Sequence, residues 1–314
     1  MKICFVGLGS IGKRHFENLI AYGKQHGLPL EVHALRSSHS QQPLPPFVEQ
    51  HLSRQVSDAG ELDERYDAIF ITNPTYLHYE TLMQLGNRSR YFFLEKPVFD
   101  RLDVDLPAIP FVPDAVCYVA APLRHCAVLQ TLKRLVPPQD VYCARAMCSS
   151  YLPDWRPGVD YRKVYSSKKE EGGGVCIDLI HEWDYLTDFF GFPLESHLLA
   201  GTFSDLEITS EDLAVYIARY PDKLVELHLD YFGRETRRGI ELFTKERTIY
   251  GDITNARISF SDGTPPIDCW EEHNAMYENE MAYFLPLVLQ QAPRTMNSID
   301  HAMRVMKLAQ GEHA

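Results

Sequence analysis

The sequence has no Cys-x-x-Cys pair, no long apolar run and no excess of positive charge, and each absence removes a class of function. Seven cysteines, an odd number scattered from Cys4 to Cys269, suit free thiols in a reducing compartment better than a disulfide framework or a zinc site. Thirteen histidines lack the short spacings of metal ligands, so no metal is expected. No apolar stretch approaches the length of a membrane span, and Met1-Lys2 runs into a strand-like segment rather than a signal peptide. A cytoplasmic protein without membrane contact is expected. The net charge of −12 argues against nucleic acid, whose phosphates call for a basic footprint. What remains is a chain of 314 residues, 45% hydrophobic and 24% charged, with the composition of a globular protein and the length of two domains.

The first part alternates short apolar runs with helix-like stretches. The runs are Ile3 to Val6, Leu30 to Leu35, Ala68 to Ile71, Tyr91 to Leu94 and Val116 to Ala120, several without polar alternation, as parallel strands covered on both faces require. Ser10 to Tyr22 reads as a helix with Ile11, Phe16, Leu19 and Ile20 on one face and Gly23 as its stop. The pattern predicts an α/β chain: a Rossmann doubly wound parallel sheet over residues 1–121, then an α/β domain over 122–314. In the second, closely spaced strand candidates between His197 and Phe260 point to a large mixed, mostly antiparallel open sheet. The C-terminal helix is expected to pack back on the Rossmann domain. The proline-rich patches 42–46 and 106–113 read as loops.

Gly7-Leu8-Gly9-Ser10-Ile11-Gly12 follows the first strand and opens the first helix, the context that lifts a GxGxxG above chance. Gly7 permits the tight turn, Gly9 lets backbone approach a pyrophosphate, and Gly12 lets helix and strand pack closely. The first N–H groups and the dipole of the helix favour the phosphates there. After the second strand, where an acid would hold the ribose of NAD, stand Arg36, Ser37 and Ser38. A guanidinium with two hydroxyls suits a 2′-phosphate, so NADP(H) is the expected cofactor and NAD(H) the alternative, unless Arg36 is a solvated loop residue.

Three further segments make the pattern specific. Ile71-Thr72-Asn73-Pro74-Thr75-Tyr76-Leu77-His78 follows the third strand, Leu94-Glu95-Lys96-Pro97 ends the next, and Gly172-Gly173-Gly174-Val175-Cys176-Ile177-Asp178-Leu179-Ile180-His181-Glu182-Trp183-Asp184 lies in the second half. In this order, with the glycine turn and Met276 to Met281, the chain resembles the Gfo/Idh/MocA family (glucose-fructose oxidoreductase, inositol dehydrogenase and relatives) nearly end to end. The resemblance implies a nicotinamide-dependent dehydrogenase or reductase acting on a hydroxyl-bearing carbon of a sugar or cyclitol, and an open sheet that often forms a homodimer or homotetramer. Thr72, Asn73, Pro74, His78, Glu95 and Lys96 then belong to the cofactor site. Lys96 lies beside nicotinamide and substrate, and the bond before Pro97 is often cis.

Hydride transfer leaves a hydroxyl proton to be handled at the same carbon, which a lysine of lowered pKa can do. At 100° per residue Asp178, His181, Glu182 and Tyr185 share one helical stripe, able to face a cleft or to be a solvated polar face. His181 is the candidate to assist Lys96, and Asp178 to orient it or to contact substrate. Asp178 and His181 are three apart where the family pattern has four, whereas His181 and Asp184 keep the common spacing. Between strand and helix, Ser150 to Arg162 is rich in aromatics and arginine; Trp155, Arg156, Tyr161 and Arg162 are candidates to line a sugar pocket, or else to form a structural corner. Arg124 matches a family position near substrate. The arginines favour an anionic sugar derivative, such as a nucleotide sugar or sugar acid. A binding-only sensor and a glycosidase using nicotinamide as an internal relay are the rival functions.

Overall fold

A computed structural model describes residues 1–37 and 43–312, and Ser38 and Gln42 fall outside that range. The chain divides into two compact units: Met1–Pro122 with Tyr277–Met303, and Leu123–Met276 with Arg304–Ala314.

In the first unit the chain runs β1 (Lys2–Val6), α1 (Ser10–Gln25), β2 (Glu31–Leu35), α2 (Pro46–His51), β3 (Arg54–Val56), β4 (Ala68–Ile71), α3 (His78–Leu85), β5 (Tyr91–Leu94) and β6 (Val116–Val119). The six strands form one parallel sheet in the order β3-β2-β1-β4-β5-β6, the doubly wound arrangement expected. Strand order reverses between β1 and β4. Register there pairs Val6 with Ile71 and Ile71 with Leu94, so the glycine turn, Thr72 and Glu95 leave the sheet at one level. The loop at 106–113 carries only a short 3-10 turn, Leu106–Ala108, in place of a crossover helix.

Two details differ from the sequence reading. Gly23 does not stop α1, which continues to Gln25 and turns out through Gly27 at φ +63°. Gly23 is instead where Leu30 packs, since a Cβ there would stand 2.5 Å from Leu30 Cδ1. The edge strand β3 carries no apolar run, because an edge strand need not be covered on both faces.

The second unit contains α4 (Ala127–Leu135), β7 (Val141–Tyr151), α5 (Val175–Asp178), α6 (His181–Phe190), β8 (Glu195–Gly201), β9 (Leu213–Arg219), β10 (Leu224–Asp230), β11 (Phe232–Thr244), β12 (Thr248–Asp252), β13 (Arg257–Phe260) and β14 (Ile267–Asp268). Its sheet has the order β14-β13-β12-β11-β7-β10-β9-β8, antiparallel except where β10 meets β7. Alternation along β9 and β10 buries Ala214, Tyr216, Val225 and Leu227 on one face and leaves Ile217, Leu224 and Glu226 exposed on the other. β11 begins seven residues before Gly239, because the charged run Arg234 to Arg238 masks a strand that only pairing with β7 reveals.

Two helices close the chain. α7 (Ala275–Leu289) sends Met281, Phe284, Leu285 and Val288 into the core of the first unit. There Phe5, Phe70 and Phe93 stack at 4.6 and 5.0 Å, with Phe284 edge-on to Phe93 at 5.3 Å. Each such buried ring contributes roughly 2–3 kcal/mol of burial. α8 (Ile299–Ala309) is shared: residues up to Met303 group with the first unit and those from Arg304 with the second, where Tyr216 donates its hydroxyl to Ala309 O at 2.6 Å.

Candidate active site

The glycine turn of the first unit shows three different needs. Gly7 has φ +86°, and a Cβ on it would lie 2.9 Å from the Asn73 backbone. A Cβ on Gly12 would meet Thr72 Oγ1 at 2.6 Å and Gly7 O at 2.7 Å. Gly9 has nothing within 4 Å of its Cβ position, and it is the N-cap of α1, whose first N–H groups no side chain caps. Two glycines are thus tight against protein, and the third opens on free space before uncapped N–H groups with Ser10 exposed beside them. That fits a dinucleotide pyrophosphate.

The strand ends behind it are braced from within. Thr72 Oγ1 donates to Gly7 O at 2.7 Å, so Thr72 fastens the turn. Asn73 donates its amide to Thr81 Oγ1 at 2.9 Å, and Pro74 is exposed and caps a 3-10 turn. His78 corrects a sequence expectation. It is fully buried with Nδ1 3.0 Å from Val98 O and Nε2 3.0 Å from Asn73 O, so its ring ties two loops together and presents no edge to a cofactor. Arg36 donates to Gln55 Oε1 at 3.1 Å and Ser37 is exposed.

Glu95 and Lys96 end β5, and the Lys96-Pro97 bond is cis. Glu95 Oε1 lies 2.5 Å from Nε2 of the buried His15, and its Oε2 accepts the Lys96 N–H at 3.1 Å. Burial alone would raise the Glu95 carboxyl. The His15 bond and the positive charges of His15 and Lys96 outweigh burial and hold it below the usual carboxylate range.

In the second unit the glycine-led segment forms two helices, not one. α5 ends at Asp178, Leu179 leaves helical geometry at φ −99° and ψ 31°, and α6 starts at His181. The single polar stripe does not exist. Glu182 and Tyr185 are buried, and Glu182 Oε1 pairs with Arg238 Nε at 2.7 Å, underneath the sheet rather than facing a cleft. Asp178 accepts the Tyr231 hydroxyl at 2.6 Å and bonds Tyr165 as well, while His181 is half-buried at the head of α6. Gly174, at φ +136°, abuts the Glu211 carboxylate, which accepts the Cys176 N–H at 3.3 Å and so anchors α5.

The aromatic segment converges on Asp178. Trp155 stands edge-on to Tyr231 at 5.2 Å and donates Nε1 to Ser150 Oγ at 2.9 Å. Arg156 lies 5.7 Å over the Tyr165 ring, and Trp155, Arg156, Val159, Tyr161 and Val164 line one shallow pocket. Arg162 is tied to Asp160 at 2.9 Å and Glu207 at 2.7 Å. Arg124 is a second correction. It is 1% exposed and forks onto Asp184 at 2.8 and 2.7 Å, so its guanidinium holds α6 in place and does not face a ligand.

Against known proteins, residues 1–104 match the family model described as oxidoreductase family, NAD-binding Rossmann fold (GFO_IDH_MocA). Over those residues the chain is similar to the Gfo/Idh/MocA oxidoreductases. Along most of its length the chain is 22% identical to an uncharacterized oxidoreductase, YrbE, of Bacillus subtilis, covering 97% of this chain and 92% of that protein. Its fold is that of myo-inositol 2-dehydrogenase from Lactobacillus plantarum (TM-score 0.75, 17% identity, 99% of this chain and 95% of the other). It is likewise that of UDP-N-acetylglucosamine 3-dehydrogenase GnnA from Acidithiobacillus ferrooxidans (TM-score 0.74, 17% identity, 99% and 95%).

The sequence reading missed His15, Tyr165, Tyr231 and Glu280. His15 lies three residues past Gly12 and looks like any helix histidine, while Tyr231 ends an ordinary strand pattern. Only tertiary contact distinguishes them. Among the described residues one group of potential metal ligands, Glu31, His33 and Asp63, comes together, and Lys2 Nζ lies 2.5 Å from Asp63 and 3.5 Å from Glu31, so an ammonium balances that charge. No described helix is long and apolar enough to cross a membrane.

Proposed function

We propose that the chain is an NAD(P)-dependent dehydrogenase or reductase acting at a hydroxyl-bearing carbon of a sugar derivative, with Lys96 as the acid/base. The observation that carries this reading is the placement of Glu95-Lys96-Pro97 at the end of β5, level with the glycine turn and one strand beyond β4, where strand order reverses. When bound there, the nicotinamide supplies the donor or acceptor of hydride at its C4. Oxidising an alcohol also releases the hydroxyl proton, which the neutral Lys96 amine takes; in reduction the ammonium returns it to the carbonyl oxygen. His181 assists that proton transfer, as the family motif suggests.

Arg36, in place of an acid after β2, supports a preference for NADP(H). Trp155 and Arg156, which reach Asp178 through Tyr231 and Tyr165, and Tyr161 beside them in one pocket, support a sugar ring with an anionic group. Arg162, paired with two carboxylates, contributes less than Arg156. Assembly as a homodimer or homotetramer is supported by the open sheet face, where Leu199, Ile217 and Leu224 are exposed around an Arg145–Glu226 pair at 3.2 Å. Seven free cysteines suit the cytoplasm.

The test is absorbance of reduced nicotinamide with NADP or NAD and a panel of nucleotide sugars, sugar acids and cyclitols. Lys96→Ala should bind cofactor normally and turn over at background. Parental turnover in Lys96→Ala, or no turnover by the parent with any member of the panel, would sink the assignment. Near-parental turnover in His181→Ala would remove His181 from the mechanism. Arg36→Ala should lose NADP selectivity, and an NAD-selective parent would refute that preference.

A further inference from the structure

His15 on α1 and Glu280 on α7 are distant in sequence and fully buried in the first unit. The His15 ring, bonded to Glu95, stands edge-on to Phe93 at 4.7 Å and to Tyr277 at 6.0 Å. Glu280 Oε1 accepts the Tyr118 hydroxyl at 2.8 Å and the Ala121 N–H at 2.6 Å. His15 Nδ1 and Glu280 Oε2 have no hydrogen-bond partner among the described residues. A carboxyl buried with one oxygen unpartnered is a liability to stability, and an apolar residue of similar volume would fold more easily. Its presence at the back of Glu95-Lys96 calls for another account.

The Glu95 and Glu280 carboxyls share one apolar enclosure and feel each other's charge. Burial and the negative Glu95 push the Glu280 carboxyl up to about 7, against the pull of His15, the Ala121 N–H and the Tyr118 hydroxyl. Glu95 in turn feels both His15 and Lys96. Also facing the cluster among the described residues are Tyr277, whose hydroxyl burial raises, Arg14, whose guanidinium lies 4.5 Å over the Tyr277 ring, and the buried His78, which feels the Glu95 charge while burial lowers its own pKa.

We propose that Glu280 is a positioning residue for Lys96: through His15 and Glu95 it sets the negative charge against which the Lys96 amine gains or loses its proton. The proposal rests on the reading of Lys96 as the acid/base. An ionised Glu280 favours the ammonium and a neutral one favours the amine, so the two groups are coupled through Glu95.

The decisive measurement is the titration of the Lys96 amine in the full chain, followed by NMR of ¹³C-methylated lysines with Lys96→Arg as the assignment control. It needs no substrate. Glu280→Gln, which keeps an acceptor for Tyr118 and Ala121 but carries no charge, should lower the Lys96 midpoint by about half a unit to one unit. Tyr118→Phe, which removes a bond that favours ionised Glu280, should lower it by less, and it decides the matter if Glu280→Gln does not fold. The acid limb of the kcat/KM profile for alcohol oxidation should move the same way. A Lys96 midpoint unmoved in the folded variants overturns the proposal. A shifted midpoint in a protein that turns over no alcohol would leave the positioning intact and remove the proposed activity instead.

Discussion

The Tyr231 hydroxyl donates to Oδ2 of Asp178 at 2.6 Å, and Tyr231 is itself fully buried with Trp155 edge-on against it. This contact joins the end of β10, the last residue of α5 and the aromatic segment after β7. Burial and the Asp178 charge both push the Tyr231 hydroxyl well above its ordinary range, so it remains a donor at every working pH. Tyr231→Phe leaves a nearly buried carboxylate one donor short. The expected loss is about 1.5–3 kcal/mol by urea denaturation, and parental stability would show that Asp178 does not depend on the bond.

Gly9→Ala and Gly12→Ala should separate binding from folding. A methyl on Gly12 meets Thr72 Oγ1 and Gly7 O at 2.6 and 2.7 Å, whereas one on Gly9 meets nothing within 4 Å. Gly12→Ala is therefore expected to lower the melting temperature markedly, by an overpacking cost of roughly 1–3 kcal/mol. Gly9→Ala should melt like the parent yet bind dinucleotide at least tenfold more weakly in a fluorescence titration. Equal binding by Gly9→Ala and the parent would mean that the pyrophosphate does not pass over the turn.

The buried pair of Glu182 and Arg238 gives a third expectation. Glu182→Ala strands a largely buried guanidinium and should cost about 3 kcal/mol in chemical denaturation. Replacing both residues by methionine should recover most of that loss. A single variant as stable as the parent would show that solvent compensates Arg238.

Stability should also depend on pH through Glu280. Its carboxyl is raised from 4.5 to about 7 in the folded chain. The folded state therefore holds a proton that the unfolded state releases between those values, and folding stability falls as pH rises across that window. The full penalty, about 3 kcal/mol, is reached above pH 7. Glu280→Gln removes this contribution, so the variant should gain on the parent between pH 4.5 and 7. A stability difference constant across that range would contradict the raised carboxyl.

Much of the fold is legible in the chain itself. Four of the six parallel strands carry unbroken apolar runs because both their faces are covered, and period and turn residues report such burial directly. The glycine turn is equally plain, since each of its glycines answers a local demand of strand, turn and helix. The edge strand β3 and the first half of β11 are not legible, because partly exposed strands carry Arg, Gln and Glu that read as loop.

The site is less legible than the fold. His78 carries the right motif position yet is walled in by the carbonyls of Asn73 and Val98. Arg124 looks like an anion ligand until its fork is found closed on Asp184. A helical wheel over Asp178, His181, Glu182 and Tyr185 presumes one continuous helix, and the break at Leu179 ends that presumption.

By itself the sequence determined an α/β chain with a glycine turn between its first strand and helix and a motif lysine at a strand end, because these follow from local spacing and residue chemistry. Tertiary structure decided which charged groups face one another. It closed Arg124 and Glu182 into ion pairs, seated Tyr231 on Asp178, and brought His15 and Glu280 behind Glu95. Burial and electrostatic coupling act through space, between residues that the chain order leaves far apart.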